Sequence, residues 1–420
     1  MNKVITTAII GGGARGLDTY GSIMKETPER FQVVACCDIR RERLNLARDM
    51  YGLSEDCLFS DENEFFKEKR ADLLLVTTLD AMHVPHGLKG LALGYDILME
   101  KPISDNEEEL SKLLEAQEKY GGKVLVCHVL RYAPAYRKVK ELLDGGTVGR
   151  LICIEAAEQV AYWHQAHSFV RGNWRREDET VPMILAKCCH DLDLLQWYAQ
   201  SPCESVSSIG DLSFFKAENA PAEAKDRCLD CPLADTCLYS AKRFYLDERF
   251  RKGKTGWPVN VVCVTKPLTE EALTEALRTG PYGRCVFRCD NDVVDHQLTQ
   301  LTFRNGIKAS LTMTAFTNNG GRIMYFRGTE GEVILDEQYD TITVKHFGKG
   351  TEVISINELS ADTSDGHGGG DSRLIDCLYE TLTSSVPAPT TLTASVESHL
   401  IGIAAEKSRK AGGALVRVHG

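Results

Sequence analysis

The sequence predicts an α/β protein in two parts, a doubly wound parallel sheet followed by a domain built on a mostly antiparallel sheet. Three observations predict it. Short apolar runs alternate with helical periodicity over about the first 125 residues, and a glycine-rich turn follows the first run. After Arg150 the apolar pattern changes to the period of two expected of half-buried strands. The expected boundaries are 1–126 for the first domain and 127–420 for the second, with a cysteine-rich insertion at about 217–284.

In the first part, Val4–Ile10, Gln32–Asp38, Asp72–Thr77, Tyr95–Met99 and Lys123–Cys127 read as buried strands. Arg41–Tyr51 and Asn106–Tyr120 carry apolar residues at helical spacing. In the second part, Ile152–Trp163 alternates as one long strand. Leu298–Phe303 and Ile307–Phe316 flank Asn305-Gly306, the signal of a tight hairpin. Arg322–Arg327, Gly331–Leu335 and Thr341–His346 add strands, and Asp371–Thr383 and Leu392–Ala411 read as closing helices. The segment from Ala217 to Arg284 fits neither period.

The 420 residues are 43% hydrophobic and 26% charged, which excludes a disordered chain. Forty-nine Lys and Arg against 60 Asp and Glu leave a net charge of −11, with no basic block. That balance argues against nucleic acid or an anionic membrane as partner. No apolar run reaches the ~18 residues of a spanning helix, and the first ten residues carry no basic leader. The expectation is a cytoplasmic protein whose fifteen cysteines are reduced thiols, some of them holding a metal.

Gly11-Gly12-Gly13-Ala14-Arg15-Gly16 follows the first strand and opens a helix. Glycines there allow a tight turn and close backbone approach, and the helix N-terminus then faces a pyrophosphate. Asp38 ends the second strand, where an acid accepts from a ribose 2′-hydroxyl. This favours NAD. Arg40 and Arg41 follow closely and could hold a 2′-phosphate, which leaves NADP open. Glu100-Lys101-Pro102 follows the fifth strand, and a lysine at the carboxyl end of a parallel strand points toward the cofactor crevice.

With these motifs the chain resembles the glucose–fructose oxidoreductase / inositol dehydrogenase family (Gfo/Idh/MocA). The likeness runs through Thr77–His83, Gly94–Pro102, Cys127-His128-Val129-Leu130-Arg131-Tyr132, Asp144–Gly149 and Gly328–Gly331. The resemblance implies a Rossmann domain, a C-terminal α/β domain with a large open sheet, and hydride transfer between nicotinamide and a hydroxyl carbon, usually of a sugar or cyclitol. It implies that Gly11, Gly13, Ala14, Arg15, Gly16, Asp38, Arg40, Thr77, His83, Glu100 and Lys101 hold the cofactor. It also implies that Lys101 orients substrate and shifts the hydroxyl proton, with His128 and Arg131 on the substrate side. Family members carry Asp-x-Gly-x-His-x-x-Asp where this chain has Ala186-Lys187-Cys188-Cys189-His190-Asp191-Leu192-Asp193. His190 and Asp193 fall on the motif, His190 as general acid/base. Ala186 replaces the first acid, and Lys187 beside it is a substitute donor or base.

Three further stretches bear on the site. Tyr162–Trp174 offers Trp163, His164, His167 and Arg171 as aromatic faces and donors for a sugar, or else a loop that packs its own tryptophans. Asp365–Asp371 brings His367 in a His-Gly-Gly stretch that approaches the active site in some family members; a linker ending in an Asp371 N-cap is the alternative. Cys228, Cys231 and Cys237 have C-x2-C-x5-C spacing, with Cys285 the expected fourth ligand and Cys289 or Cys263 the alternatives. Such a set suits a structural Zn2+ ion ahead of an iron–sulfur cluster, supplying stability to an insertion with little core of its own.

The leading expectation is therefore an NAD(P)-dependent oxidoreductase acting on a carbohydrate hydroxyl. Alternatives are a glycosidase that works by oxidation, elimination, hydration and re-reduction, and a nucleotide-sensing protein without chemistry. A broad open sheet predicts a homo-oligomer.

Overall fold

Strands that must be buried on both faces read as continuous apolar runs, and six of them build the first sheet. They are β1 (Ile5–Ile10), β2 (Phe31–Cys37), β3 (Leu58–Phe59), β4 (Leu73–Val76), β5 (Asp96–Met99) and β6 (Val124–Val126). The computed structural model describes residues 3–265, 267–359, 366–384 and 386–419. All pairs in this sheet are parallel, in the order β3-β2-β1-β4-β5-β6. The order reverses between β1 and β4, the crevice where dinucleotides bind in doubly wound sheets. The five strands read from the sequence are present within a residue or two at each end. The two-residue β3 escapes any periodicity argument.

The second sheet comprises β7 (Leu151–Ala161), β8 (Cys203–Asp211), β9 (His296–Phe303), β10 (Lys308–Thr317), β11 (Gly321–Gly328), β12 (Gly331–Asp336), β13 (Thr341–His346), β14 (Gly350–Ser355) and β15 (Val416–Arg417). Its order is β14-β13-β12-β11-β7-β10-β9-β8-β15, antiparallel except between β7 and β10. The Asn305-Gly306 turn joins β9 to β10, and Gly306 supplies the positive φ of 94° that the turn requires. One correction concerns the end of the long strand. Tyr162 and Trp163 leave the sheet as a helical turn, Tyr162–His164.

One face of this sheet is covered by the helices Cys189–Ala199 and Leu392–Lys410. Gly402 lets the second helix close on the first and on the turn before it, since a Cβ there would lie 3.2 Å from Leu192 Cδ1 and 2.4 Å from Leu185 Cδ2. Arg322 of β11 is buried in the same layer, 2.6 Å from Glu158 of β7 and 2.7 Å from Asp191.

The insertion differs from the expectation in having its own apolar cluster. Ala241, Tyr245, Leu246, Val259, Leu273 and Leu277 are buried together. Its ends are tied where Arg227 pairs with Arg284.

Removing one partner of a buried charge network strands the others, at a cost of about 3–5 kcal/mol. Arg322→Ala is therefore expected to lower urea stability by that amount, because Asp191 would be left in a dry interior without its cation while Glu158 keeps only Lys187. A loss under about 1 kcal/mol, the size of a surface ion pair, would show that the network does not hold the two elements together.

Candidate active site

The glycine turn is built by close approach. A Cβ on Gly11 (φ 92°) would lie 2.5 Å from the Thr77 backbone, and one on Gly16 would lie 2.2 Å from the Gly11 carbonyl. Gly13 has nothing nearer than Arg40 Nη2 at 3.8 Å, so the turn is open where a phosphate would approach. Helical residues Ala14–Gly21 start immediately after it. Asp38 lies at the end of β2, its carboxylate accepting from the Arg40 backbone N–H (2.9 Å), Nε (3.0 Å) and Nη2 (3.1 Å). These residues fit a dinucleotide. Arg43, unremarked in the sequence, donates to the Gly12 and Gly13 carbonyls and fixes the turn from below.

Two expected cofactor contacts are spent inside the protein. Thr77 Oγ1 donates to the Gly11 carbonyl at 2.7 Å. His83 is fully buried, with Nδ1 2.6 Å from the Pro102 carbonyl and Nε2 3.0 Å from that of Thr78. Both ring nitrogens thus meet the backbone around the motif turn.

Glu100, Lys101 and Pro102 do different things. Glu100 is buried and accepts from Arg15 Nε (2.7 Å), Tyr20 Oη (2.9 Å) and the Lys101 backbone N–H (3.0 Å). Burial opposes its charge, but Arg15 and Lys101 overcome that and hold it below the usual carboxylate range. Lys101 reaches across to the second domain, where Nζ donates to the Ala186 carbonyl at 3.2 Å. Among the described residues it has no carboxylate at ion-pair distance. Lys101–Pro102 is a cis peptide.

That contact brings Lys101 to the start of the helix carrying His190. His190 is buried, and its ring lies 5.9 Å from those of His128 and His367. Desolvation, reinforced by the Lys101 charge, pushes its pKa well below the usual range, so the ring is neutral at physiological pH. His367, at φ 58° in the left-handed region with Gly368 and Gly369, turns back over it, its Nδ1 3.1 Å from Asp371. Asp371 is not an N-cap. It binds Arg15 at 2.7 Å, and although burial opposes its charge, His367 and Arg15 hold its pKa at about 2. Asp365 lies outside the described residues.

Other expected substrate residues are engaged elsewhere. Arg131 and Asp193 form a buried bidentate pair (2.6 and 2.7 Å). Lys187 Nζ is 3.0 Å from Glu158, which makes it a donor to that network and not a base. His128 is buried, and among the described residues neither ring nitrogen has a hydrogen-bond partner. Trp163 and His164 stay at the cleft wall. Phe244 stacks on Trp163 at 5.3 Å, Trp257 lies 5.5 Å away, and the Arg249 guanidinium sits 4.6 Å from the ring centre. His167 and Arg171 instead anchor the insertion. His167 Nδ1 lies 2.6 Å from Tyr245 Oη, and Arg171 donates to the carbonyls of Arg284 and Tyr239. Asp80, which accepts from Trp174 Nε1 at 2.9 Å, was invisible in the sequence because a lone acid after a strand carries no pattern.

All fifteen cysteines are free. The closed zinc site expected at Cys228, Cys231, Cys237 and Cys285 is not formed. Among the described residues no group of three or more His, Cys, Asp or Glu is disposed to hold a metal ion. No described helix is long and apolar enough to cross a membrane.

Two family models match the chain. One, described as "Oxidoreductase family, NAD-binding Rossmann fold", covers residues 5–128; the other, "Oxidoreductase family, C-terminal alpha/beta domain", covers 140–418. The putative oxidoreductase YteT of Bacillus subtilis is 23% identical over 85% of this chain and 84% of its own. Inositol 2-dehydrogenase of Salmonella typhimurium is 23% identical over 48% of this chain, which spans about half (56%) of that relative. A levoglucosan dehydrogenase solved with NADH and levoglucosan superposes with a TM-score of 0.71 at 16% identity, covering 100% of both chains. The WlbA dehydrogenase of Bordetella pertussis, solved with NADH and UDP-GlcNAcA, gives 0.69 at 17% identity, covering 99% and 98%.

Burial holds His128, His164, His167, His190 and His399 below the ordinary imidazole range, His167 and His399 near about 3. Unfolded, they take up protons below about pH 6.5, so the unfolded chain then binds more protons than the folded one. Their contribution is complete above that pH and is lost as pH falls toward the folded values. The melting temperature should drop from pH 7 to pH 5. His399→Gln should remove up to about 1.4 kcal/mol per pH unit of that slope. A flat profile in the parent protein would mean the imidazoles are solvated.

Proposed function

The chain belongs to the Gfo/Idh/MocA oxidoreductase family and is an NAD(P)-binding oxidoreductase, and we propose that it oxidises a secondary hydroxyl of a sugar, glycoside or cyclitol with NAD. One observation carries this reading: Lys101, from the cofactor domain, docks on the Ala186 carbonyl four residues before a neutral, buried His190. Alcohol oxidation needs an acceptor for the hydroxyl proton beside a group that stabilises the developing alkoxide. A neutral imidazole is ready to take the proton. The Lys101 amino group, whose partner among the described residues is the Ala186 carbonyl, is not tied to a carboxylate and is available to the reacting oxygen. Bound nicotinamide supplies the hydride acceptor. The aromatic cluster of Trp163, His164 and Trp257 gives a sugar ring edges to pack against, while Phe244 and Arg249 hold Trp163 in place. The carbohydrate ligands of the similar levoglucosan and WlbA dehydrogenases support this class of substrate.

Asp38 supports NAD over NADP, because its carboxylate would repel a 2′-phosphate while accepting from a ribose hydroxyl. The fifteen free thiols support a reducing compartment. Ile209 and Leu298, paired on β8 and β9 and each about half exposed, support assembly through the open face of the second sheet.

A second reading rests on His367. Its ring beside His190 gives the site a second imidazole, which suits a redox-neutral glycosidase that must protonate a leaving group. Purified protein given sugars, cyclitols and aryl glycosides separates the two. NADH build-up supports the dehydrogenase, and aglycone release without net NADH supports the glycosidase.

Lys101→Met should abolish turnover while leaving NADH binding, read by fluorescence titration, unchanged. His190→Ala should lower kcat by about 10²–10⁴-fold. Unchanged turnover in either variant removes the assignment. Asp38→Ala, which frees Arg40, should raise the ratio of NADP to NAD efficiency by about tenfold or more, on the scale of one lost charge-assisted contact. An unchanged ratio would place cofactor choice elsewhere.

A further inference from the structure

The four cysteines of the insertion do not close on a point; they surround a space. Cys228, Cys231, Cys237 and Cys285 all line one cavity of about 20 Å³. The fourth is brought in by the Arg227–Arg284 pairing and by its own N–H, which donates to the Asp226 carbonyl at 2.8 Å. A cavity holds a water-sized sphere once it reaches about 10–15 Å³. Four thiolates on one zinc ion, with bonds of about 2.3 Å, leave no such interior space. A polynuclear centre keeps its sulfur ligands apart and fills the volume between them, which also accounts for the lack of any single-ion arrangement.

The charge around the cavity is a second, independent observation. Arg171 lines it with 3% of its surface exposed. Its guanidinium donates to the Arg284 and Tyr239 carbonyls (2.7 and 2.6 Å) and lies 3.6 Å from Cys228 Sγ. Among the described residues no carboxylate pairs with it. Lys225 lines the same cavity, and no acidic or histidine side chain does. A buried cation without a counterion is heavily penalised, so the wall is electrostatically complete only around an anion. An iron–sulfur cluster held by four thiolates is such an anion.

We propose that Cys228, Cys231, Cys237 and Cys285 ligate a cubane iron–sulfur cluster whose negative charge is balanced by Arg171. Ligation exchanges four S–H bonds for four S–Fe bonds and releases four protons. Iron and inorganic sulfide enter as a cluster already assembled, so no electron transfer is required. Arg171 ends the segment that begins at Trp163, and the insertion carries Phe244 and Trp257 onto that tryptophan. The cluster fixes this wall of the cleft in place.

The test is made on the full chain purified without oxygen, and again after incubation with sulfide and equal parts of ferrous and ferric iron, from which the mixed-valence core forms with no oxidant or reductant added. Expected are about four irons and four acid-labile sulfides per chain, with a visible charge-transfer band that Cys231→Ser and Cys237→Ser remove. Cys263→Ser, in the same insertion but off the cavity wall, should keep the full content. Arg171→Gln should bind the cluster less tightly, losing it faster to a chelator. One zinc per chain without sulfide, no uptake of iron and sulfide under either condition, or equal loss in Cys263→Ser would each overturn the assignment. The metal and sulfide content of the unmodified chain decides the matter even if a cysteine variant fails to fold.

Discussion

The arrangement of the active site depends on one guanidinium. Arg15, the fifth residue of the glycine turn, binds Glu100 and Asp371 at 2.7 Å each and donates to Tyr20 Oη. Tyr20, Glu100 and Asp371 hold it charged against the burial that opposes it. These partners come from three distant parts of the chain: the first helix, the end of β5, and the helical segment after residue 366. Each carries something the chemistry needs, since the glycine turn precedes Arg15, Lys101 follows Glu100, and His367 binds Asp371. A single buried cation with two acids thus sets the distance between the glycine turn and the segments that carry Lys101 and His367. Neither acid can be lost without stranding a charge.

A second network does the same work from the other side. Arg322 joins Glu158 of β7 to Asp191, the neighbour of His190. The helix bearing His190 is therefore registered against the sheet through Asp191 in its first turn. Lys187 closes the network on Glu158 at 3.0 Å. The two networks leave His190 between them with few polar partners, and that desolvation keeps its ring neutral. Rigidity and the neutral state of the ring have the same cause.

Much of this was legible in the sequence, and what was not follows a physical pattern. Strand runs and the glycine turn were readable because burial on both faces and positive φ each select residue types locally. β8 was missed because Cys203-Glu-Ser-Val-Ser-Ser-Ile mixes polar side chains into its buried positions, with Ser208 satisfied by Thr299. Lys101 and His190 were legible through motif spacing. The buried partners of Arg131, Asp193, His167 and Arg171 were not legible for a common reason: a charged or aromatic side chain looks the same in sequence whether it faces a ligand or a buried partner. Only tertiary structure reveals that Asp193 neutralises Arg131 or that Tyr245 takes up His167. The partners of Arg15 were hidden similarly, because Asp371 lies 356 residues away.

The missing family acid at position 186 can now be given a physical reading. An alanine there has no side-chain acceptor, yet its carbonyl accepts from Lys101 at 3.2 Å, so the lysine is still positioned. What changes is charge. A carboxylate beside Lys101 would neutralise part of its field, whereas a carbonyl leaves the cation less screened toward the reacting oxygen. The negative charge has moved one layer outward, to Glu158, where Lys187 and Arg322 already balance it. In the proposed reaction, a less screened Lys101 would favour an alkoxide-like transition state over a cationic one.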